Sequence, residues 1–438
     1  MKYCVIGEKL THSMSPQIHN EYFDYYEIKN CSYEIKQIPM QDMLDDCKET
    51  LLSYDGMNVT VPYKEKVIKY LSGISDEAKS IGAVNTIVNK DGKLYGYNTD
   101  PYGFEELLKV NSVKIDGACF VILGSGGACK SVRYILKERG AKSVVVATRD
   151  EEKGKSEGYI SYDALKEYKA DVLVNTTPVG MYPNVDGCPV SEDIISNFDT
   201  IVDIIYNPVY TKLLQSAVKL GKKAVGGMYM LVAQAMKSQE IWNDKVTDAA
   251  LTKKIYNNLM KEYFVKNGGN IYLTGIMSCG KTSKGKKVAK ELNWKFVDAD
   301  KYIEEISGES IPQMFEKGED YFRSWESKAM YELSKEKFLV VATGGGVILK
   351  DVNVSAMKLS GINVLIERNI DDIVASVKTS TRPLLKDGAD KLRKIYSERK
   401  DRYYGSCDVV IKSHENDMYK TVNEITNIIL PDLLKKLS

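Results

Sequence analysis

Two glycine-bearing segments have the residue types and spacing that phosphate chemistry requires. Residues 275–282 read Gly-Ile-Met-Ser-Cys-Gly-Lys-Thr, a complete G-x-x-x-x-G-K-[ST] loop. In such a loop backbone N–H groups cradle phosphates, Lys281 reaches the β- and γ-phosphates, and the Thr282 hydroxyl ligates Mg2+. Ser278, Cys279 and Gly280 complete the expected ATP contacts. The second segment is Gly124-Ser125-Gly126-Gly127-Ala128, between an apolar run and a helical pattern. That is the setting of a dinucleotide loop, where glycine admits a pyrophosphate and the helix N-terminus offers N–H groups. Alone the pattern is weak, since glycine also fills strand-to-helix turns for packing. The next apolar run ends in Thr148-Arg149-Asp150, where an adenosine ribose belongs. An acidic residue there suits the 2′-hydroxyl of NAD, an arginine the 2′-phosphate of NADP. Both are present, and the reading taken is NADP.

The scarcer residues narrow the chemistry further. Only three histidines occur in 438 residues, His12, His19 and His414, too few for a multi-histidine zinc or iron site. The eight cysteines, at 4, 31, 47, 119, 129, 188, 279 and 407, contain no C-x-x-C pair. That scatter fits reduced intracellular thiols and neither a disulfide framework nor a zinc ribbon. Lys, Asp, Arg, bound nucleotides and magnesium are left to carry the reaction. Lys+Arg 61 against Asp+Glu 60 leaves a net charge of +1, with no global field for nucleic acid or an anionic membrane. No window approaches the roughly 18 consecutive apolar residues of a membrane span. The start turns polar by Glu8, too early for a secretory leader, so a cytoplasmic protein is expected.

The elements that must position these loops follow from the apolar pattern. At roughly 150 residues per domain the length predicts about three domains. Apolar runs alternate with amphipathic stretches, the pattern of parallel α/β folds. Strands are expected at Cys4–Ile6, Met57–Val61, Ala83–Val88, Ala118–Leu123, Val144–Val146, Asp171–Val174 and Thr200–Ile204. One long amphipathic segment spans Met40 to Leu52. After Gly124–Gly127 a helix carries Val132, Ile135 and Leu136 on one face and stops at Gly140. A helical stretch from Leu251 to Val265 ends at Lys266-Asn267-Gly268-Gly269, and strand Ile271–Thr274 opens a new domain. A helix with Val288, Ala289 and Leu292 on one face follows the phosphate loop.

Seven further blocks are His-Ser-Met-Ser-Pro at 12–16, Asn-Val-Thr-Val-Pro-Tyr-Lys at 58–64, Gly-Ala-Val-Asn-Thr at 82–86 and Asn-Thr-Asp at 98–100, then residues 175–181, residues 203–208, and Gly227 with 230–235. In this order they resemble shikimate dehydrogenase, from residue 1 to about 264. The resemblance implies reversible reduction of 3-dehydroshikimate to shikimate by NADPH. It implies that Ser13, Ser15 and Thr60 donate hydroxyls to a small carboxylate. Asn85, Asp100 and Gln234 read the ring hydroxyls, and Tyr206 touches the substrate near the nicotinamide. Lys64 and Asp100 form the implied acid/base pair: hydride delivered to the carbonyl makes an alkoxide, and the neighbouring ammonium supplies a proton. Asn175, Thr176 and Gly227 join the glycine loop, Thr148 and Arg149 in the implied NADP site. One position departs: Pro101 follows Asn-Thr-Asp where the family continues with Gly. Proline drives the preceding residue to extended angles, so a rebuilt turn is expected at Asp100. Read singly, Ser13 and Ser15 are also ordinary helix caps.

From residue 270 a second set runs on. Besides the phosphate loop it holds Asp298-Ala299-Asp300, Phe322-Arg323-x-x-Glu326, Gly344-Gly345-Gly346, Arg382-Pro383-Leu384-Leu385 and Glu398-Arg399-x-x-x-Tyr403. These resemble shikimate kinase over residues 270–438. The resemblance implies that Asp298 joins the magnesium shell through water and that Asp300 receives the hydrogen bond of the attacking hydroxyl. Arg323, steadied by Glu326, and Arg399 bind a carboxylate, and bare backbone at Gly344–Gly346 meets the sugar ring. Arg382 is the implied lid arginine on the transferring phosphoryl group. The arginine that family members place before the lid to pack on adenine is absent, with Ala375 and Ser376 there and Lys378 as a partial substitute.

The fold expected is α/β throughout. An N-terminal α/β substrate domain (1–103, with 223–264 returning to it) and a Rossmann-like NADP domain (104–222) precede a linker (265–269) and a P-loop parallel α/β kinase domain (270–438). The activity expected is two successive steps on one metabolite, with NADP(H), ATP and Mg2+ as cofactors and no nucleic acid or membrane partner. Two other readings stay open: a quinate-type dehydrogenase joined to another small-molecule kinase, and one half acting as a non-catalytic sensor or scaffold.

Overall fold

A computed structural model describes the chain apart from residues 9, 11–12, 377–388, 414–416 and 429–438. Contacts divide the chain into two compact units, one of residues 1–214 and 225–256, the other of residues 215–224 and those from 257 onward. The first sheet contains β1 (Lys2–Gly7), β2 (Ser32–Gln37), β3 (Gly56–Val59), β4 (Gly73–Ile74), β5 (Thr86–Lys90) and β6 (Lys93–Tyr97), in the order β2-β1-β3-β5-β6-β4. Residues two apart on a strand share a face. Cys4 and Ile6 of β1 and Met57 and Val59 of β3 accordingly enter one core with Val67, Ala78, Ile87 and Leu94. On the other face of β1, Tyr3 stacks on Phe23 and Trp242, with ring centres 5.6 and 4.8 Å away.

Here the structure departs from the sequence reading in three places. The segment Met40 to Leu52 is two short helices, Met40–Asp45 and Lys48–Leu52, separated by extended Asp46 and by Cys47. The sheet is not wholly parallel: β3 and β5, and β5 and β6, pair antiparallel. The β5–β6 turn is Asp91-Gly92 at φ 52° and 76°, the two-residue hairpin geometry that Asp-Gly favours. Lastly, Asp100 is not extended but is the first residue of the helix Asp100–Val110, with Pro101 in its first turn. No intrahelical partner is needed by the N–H that proline lacks there.

A second sheet holds β7 (Cys119–Leu123), β8 (Ser143–Thr148), β9 (Ile160–Ser161), β10 (Ala170–Asn175), β11 (Phe198–Asp203) and β12 (Lys223–Gly226), in the order β12-β11-β10-β7-β8-β9. The chain winds outward from β7 in both directions, so the carboxyl ends of β7 and β10 flank a switch point, where such sheets bind ligands. The helix Gly127–Glu138 buries Val132, Ile135 and Leu136 against this sheet's core.

The second unit carries a parallel sheet of β13 (Asn270–Thr274), β14 (Lys295–Asp298), β15 (Leu339–Ala342), β16 (Gly361–Glu367) and β17 (Val409–Lys412). Its order is β14-β15-β13-β16-β17, which puts β13 and the phosphate loop that leaves it at the centre. The helix before it runs Ala249–Asn267, so Gly268 and Gly269 alone of residues 265–269 stand between helix and strand.

Candidate active sites

The first cluster gathers at the carboxyl ends of β1 and β3. The segment after β3 is held by Thr60 N–H to Ile6 O (3.0 Å) and Val84 N–H to Lys64 O (2.8 Å). Lys64 Nζ then donates to Asp100 Oδ2 at 2.6 Å. The other carboxylate oxygen accepts from Asn85 Nδ2 at 2.8 Å, and Asn85 Oδ1 accepts the Thr99 N–H at 2.8 Å. Gln234 enters from the helix Met228–Asn243, its Oε1 accepting from Thr99 Oγ1 at 3.2 Å. Gly103 makes that approach possible, for a Cβ there would come 2.8 Å from Gln234 Cβ and Met230 O. Lys64, Asp100, Asn85 and Gln234 therefore form one network. Ser13, Ser15 and Thr60 stand apart from it in hydrogen bonding. Ser15 opens the helix Ser15–Tyr25, and its N–H donates to Ser13 Oγ at 3.3 Å; neither hydroxyl caps that helix, whose N-cap is Met14. Tyr206 follows β11, its phenol pushed up by burial.

The glycine loop leaves β7. Gly124 needs its residue type for local reasons: φ is 97° and a Cβ would lie 2.8 Å from Thr177 Cγ2. At Gly126 and Gly127 a Cβ would meet nothing within 4 Å. Packing therefore accounts for the first glycine alone, and the space over the other two is open to a ligand. Ser125 Oγ lies 3.2 Å from Thr148 Oγ1, Arg149 is exposed with its guanidinium 5.1 Å from the Tyr162 ring centre, and Thr176 Oγ1 donates to Leu123 O at 2.6 Å. Ala128 lies in the first turn of the helix Gly127–Glu138. Gly227 fits where a Cβ would strike Ile204 O at 2.1 Å.

The third cluster lies at the carboxyl ends of β13, β14 and β15. Lys281 Nζ donates to the loop's own carbonyls, Gly275 O at 2.8 Å and Ile276 O at 3.0 Å. Thr282 Oγ1 donates to Asp298 Oδ2 at 3.0 Å. Asp300, in the first turn of the helix Ala299–Ser307, packs on Gly344, where a Cβ would fall 2.9 Å from its Oδ1 and 3.3 Å from Glu326 Oε1. Arg323 Nη1 donates to both Glu326 oxygens at 3.0 and 2.9 Å, and its Nη2 to Glu319 at 2.9 Å. A Cβ on Gly346 would stand 2.4 Å from Arg323 Nη2, and one on Gly345 3.3 Å from Met277 N in the phosphate loop. Arg399 Nη1 donates to Gly345 O at 3.2 Å. Asp300, Arg323, Arg399 and Gly344–Gly346 thus converge beside the loop, whereas Arg382 and Lys378 lie outside the described residues.

Residues 5–87 match the family model of the shikimate dehydrogenase substrate binding domain, and residues 277–430 match that of shikimate kinase. Over 268 residues the chain is 44% identical to the shikimate dehydrogenase (NADP(+)) of Clostridium beijerinckii, covering 60% of this chain and 98% of that protein. The chain belongs to the shikimate dehydrogenase family. The crystal structure of shikimate dehydrogenase 1 from Peptoclostridium difficile is similar at 44% identity and a TM-score of 0.56, over 60% of this chain and 98% of that one. A shikimate 5-dehydrogenase from Thermus thermophilus, solved with NADP(H) and shikimate, is similar at 29% identity and a TM-score of 0.54, over 59% and 99%. The chain therefore joins a shikimate dehydrogenase to a shikimate kinase, both shikimate-pathway enzymes.

Several residues of the dehydrogenase half's network were not singled out from the sequence. Thr99 links Asn85 to Gln234. Ser238, one turn beyond Gln234 on the same helix, accepts from Asn58 Nδ2 at 2.9 Å and lies 2.8 Å from Thr86 Oγ1. The i, i+4 spacing from Gln234 is the signal that exposes it. In the kinase half the second partner of Arg323, Glu319, stands at i−4 and is legible on the same grounds.

Asp203, at the end of β11, is fully buried beside Asn175. It accepts from Asn175 Nδ2 (3.0 Å), Ile205 N–H (3.1 Å) and Thr211 Oγ1 (2.8 Å). Burial, against those bonds, raises its carboxyl from 3.8 to about 7. The folded form keeps this proton to a higher pH than the unfolded chain, so the stability it contributes is complete below 3.8 and is lost as pH rises through about 7. Asp203→Asn is expected to flatten the decline of the dehydrogenase half's melting temperature between about pH 4 and 7, measured by scanning fluorimetry. An unaltered slope counts against this account.

Proposed function

We propose that the chain reduces 3-dehydroshikimate to shikimate with NADPH, reversibly, and then phosphorylates shikimate to shikimate 3-phosphate with MgATP, in the cytoplasm. The division into a substrate domain at 1–103 with 223–264, an NADP domain at 104–222 and a kinase domain from 270 belongs to the same proposal. One observation carries it: each half builds a cation–carboxylate pair as well as a phosphate-type loop, Lys64–Asp100 in one and Arg323–Glu326 in the other.

When bound, NADPH supplies a hydride to the carbonyl carbon. Lys64, held by Asp100, gives the carbonyl oxygen a proton as negative charge develops there, the role of a positioned general acid. Asn85 and Gln234 orient the ring hydroxyls, and Ser13, Ser15 and Thr60 bind the carboxylate. Tyr206 contacts the substrate from the nicotinamide side. The open backbone at Gly126 and Gly127, with Ser125, Asn175, Thr176 and Gly227, suits a dinucleotide. Arg149, which makes no ion pair among the described residues, suits a 2′-phosphate.

In the kinase half, ATP supplies the phosphoryl group. Lys281 would leave the Gly275 and Ile276 carbonyls for the phosphates, while Thr282, and Asp298 through water, would hold Mg2+; the two side chains stand 3.0 Å apart. Asp300 receives the proton of the attacking hydroxyl, Arg323 and Arg399 clamp the carboxylate as charge-assisted donors, and Arg382 neutralises the transferring group.

Purified chain incubated with 3-dehydroshikimate, NADPH and MgATP is expected to consume NADPH and release ADP. Lys281→Ala should stop ADP release and leave NADPH consumption in place. Preferred turnover of quinate in the first step, or of gluconate in the second, overturns the assignment.

A further inference from the structure

We infer that Arg368 is a positioning residue of the nucleotide site, holding Ser278 in the backbone conformation that shapes the phosphate loop. The inference rests on the reading of the second unit as an ATP-binding kinase. Three loop residues have left-handed backbone: Gly275 at φ 133°, Ser278 at 67° and Gly280 at 94°. Glycine reaches those angles freely, but at Ser278 a Cβ crowds the neighbouring carbonyl, so something outside the residue must hold it there.

The loop itself does so weakly. Its own hydrogen bond across Ser278, from Cys279 N–H to Ile276 O, is long at 3.4 Å. Arg368 follows β16, which pairs with β13 in the register Thr274 to Leu365, so its side chain starts beside the loop. Its Nη1 donates to Ser278 O at 3.3 Å. The peptide group is planar, so fixing that carbonyl fixes the Ser278–Cys279 plane and the path of the chain into Gly280 and Lys281.

Three other loop carbonyls are held by cations too. Lys281 Nζ takes Gly275 O and Ile276 O, and Lys284 Nζ takes Cys279 O at 3.3 Å. With these carbonyls engaged by ammonium and guanidinium groups, the loop's N–H groups are left to a phosphate. Lys281 gives up its carbonyls when it turns to the phosphates, whereas Arg368 and Lys284 remain. Arg368 therefore keeps the loop in shape at the moment of binding.

Calorimetric titration with MgADP, where no turnover occurs, tests this on the full chain. Arg368→Ala is expected to weaken MgADP binding roughly tenfold, the scale of one left-handed non-glycine residue. In kinase assays it should raise the KM for ATP and leave the KM for shikimate alone. Adding Ser278→Gly to Arg368→Ala removes the Cβ conflict and should bring binding back to within about threefold of the parent. A direct ligand contact or a general packing role predicts no such rescue. Arg368→Lys, which keeps a cation without the fork, should fall between. Binding by Arg368→Ala and Arg368→Lys equal to the parent's overturns the inference, as does a weakened or unfolded Arg368→Ala that Ser278→Gly fails to restore. Parent-like MgADP binding by Lys281→Ala would instead overturn the nucleotide reading on which the inference rests.

Discussion

Lys64→Ala is expected to lower NADPH-dependent reduction of 3-dehydroshikimate by roughly 10²–10⁴-fold, the range that a positioned general acid contributes. Among the described residues Lys64 is the one ammonium in the network around Asp100, Asn85 and Gln234, and the neutral amides there offer no comparably acidic proton. The fall should appear in kcat, since Asn85, Gln234 and the serines still bind the ring and carboxylate. ADP release from added shikimate should persist in the same sample, which confines the loss to the dehydrogenase half. Asp100→Asn should also reduce turnover, because the amide sets an NH2 donor against either Lys64 or Asn85, where the carboxylate accepts from Lys64 on one oxygen and from Asn85 on the other. Undiminished NADPH consumption by either variant would remove the proposed acid/base pair.

Glu326→Ala is expected to harm the kinase half more than Arg323→Ala, although each cuts the same pair. Arg323 is 9% and Glu326 2% exposed at the side chain, whereas Glu319, the other partner of Arg323, is 60% exposed. With Glu326 gone, a guanidinium that cannot shed its proton stays buried beside one solvated carboxylate, at a cost of about 3–5 kcal/mol. With Arg323 gone, Glu326 has an escape. Burial already pushes its carboxyl above the usual range against the opposing Arg323 charge, so without that charge it takes up a proton and becomes neutral. Arg323→Ala should therefore be the milder change in stability, and milder still as pH is lowered, while raising the KM for shikimate roughly thirtyfold or more through loss of the carboxylate clamp. Thermal melts of both variants at neutral and mildly acidic pH check the order. A lower melting temperature for Arg323→Ala would reject this account of the pair.

The two nucleotide loops could be read from the chain alone because each is a run of adjacent residues. Glycines, a lysine and a hydroxyl at fixed spacing suffice, and the apolar strands before them announce their setting. Strand positions were legible for the same reason and shifted by only a few residues, as in β5, which starts at Thr86 and not at Ala83. The Met40–Leu52 break was less so, since amphipathic spacing continues through Asp46 and Cys47 while the backbone does not. The Asp91-Gly92 pair carries a hairpin signal that the general alternation of a parallel α/β fold does not convey. Pro101 misled because a local steric rule was applied without the helix whose first turn receives it.

Other relations depend on distance in the chain. Lys64 and Asp100 lie 36 positions apart, and their 2.6 Å bond exists because Asn85, on a third segment, grips the other carboxylate oxygen. Composition and periodicity set each residue's preference for strand, helix or turn and thereby the kind of fold and the kind of ligand. Which cation meets which oxygen follows from strand order and register. Arg323 faces Glu326 at a glycine backbone, and Arg368 reaches Ser278 across two paired strands, because β15 and β16 flank β13. That adjacency arises on folding, when buried polar groups must find partners, and no single segment of the chain contains it.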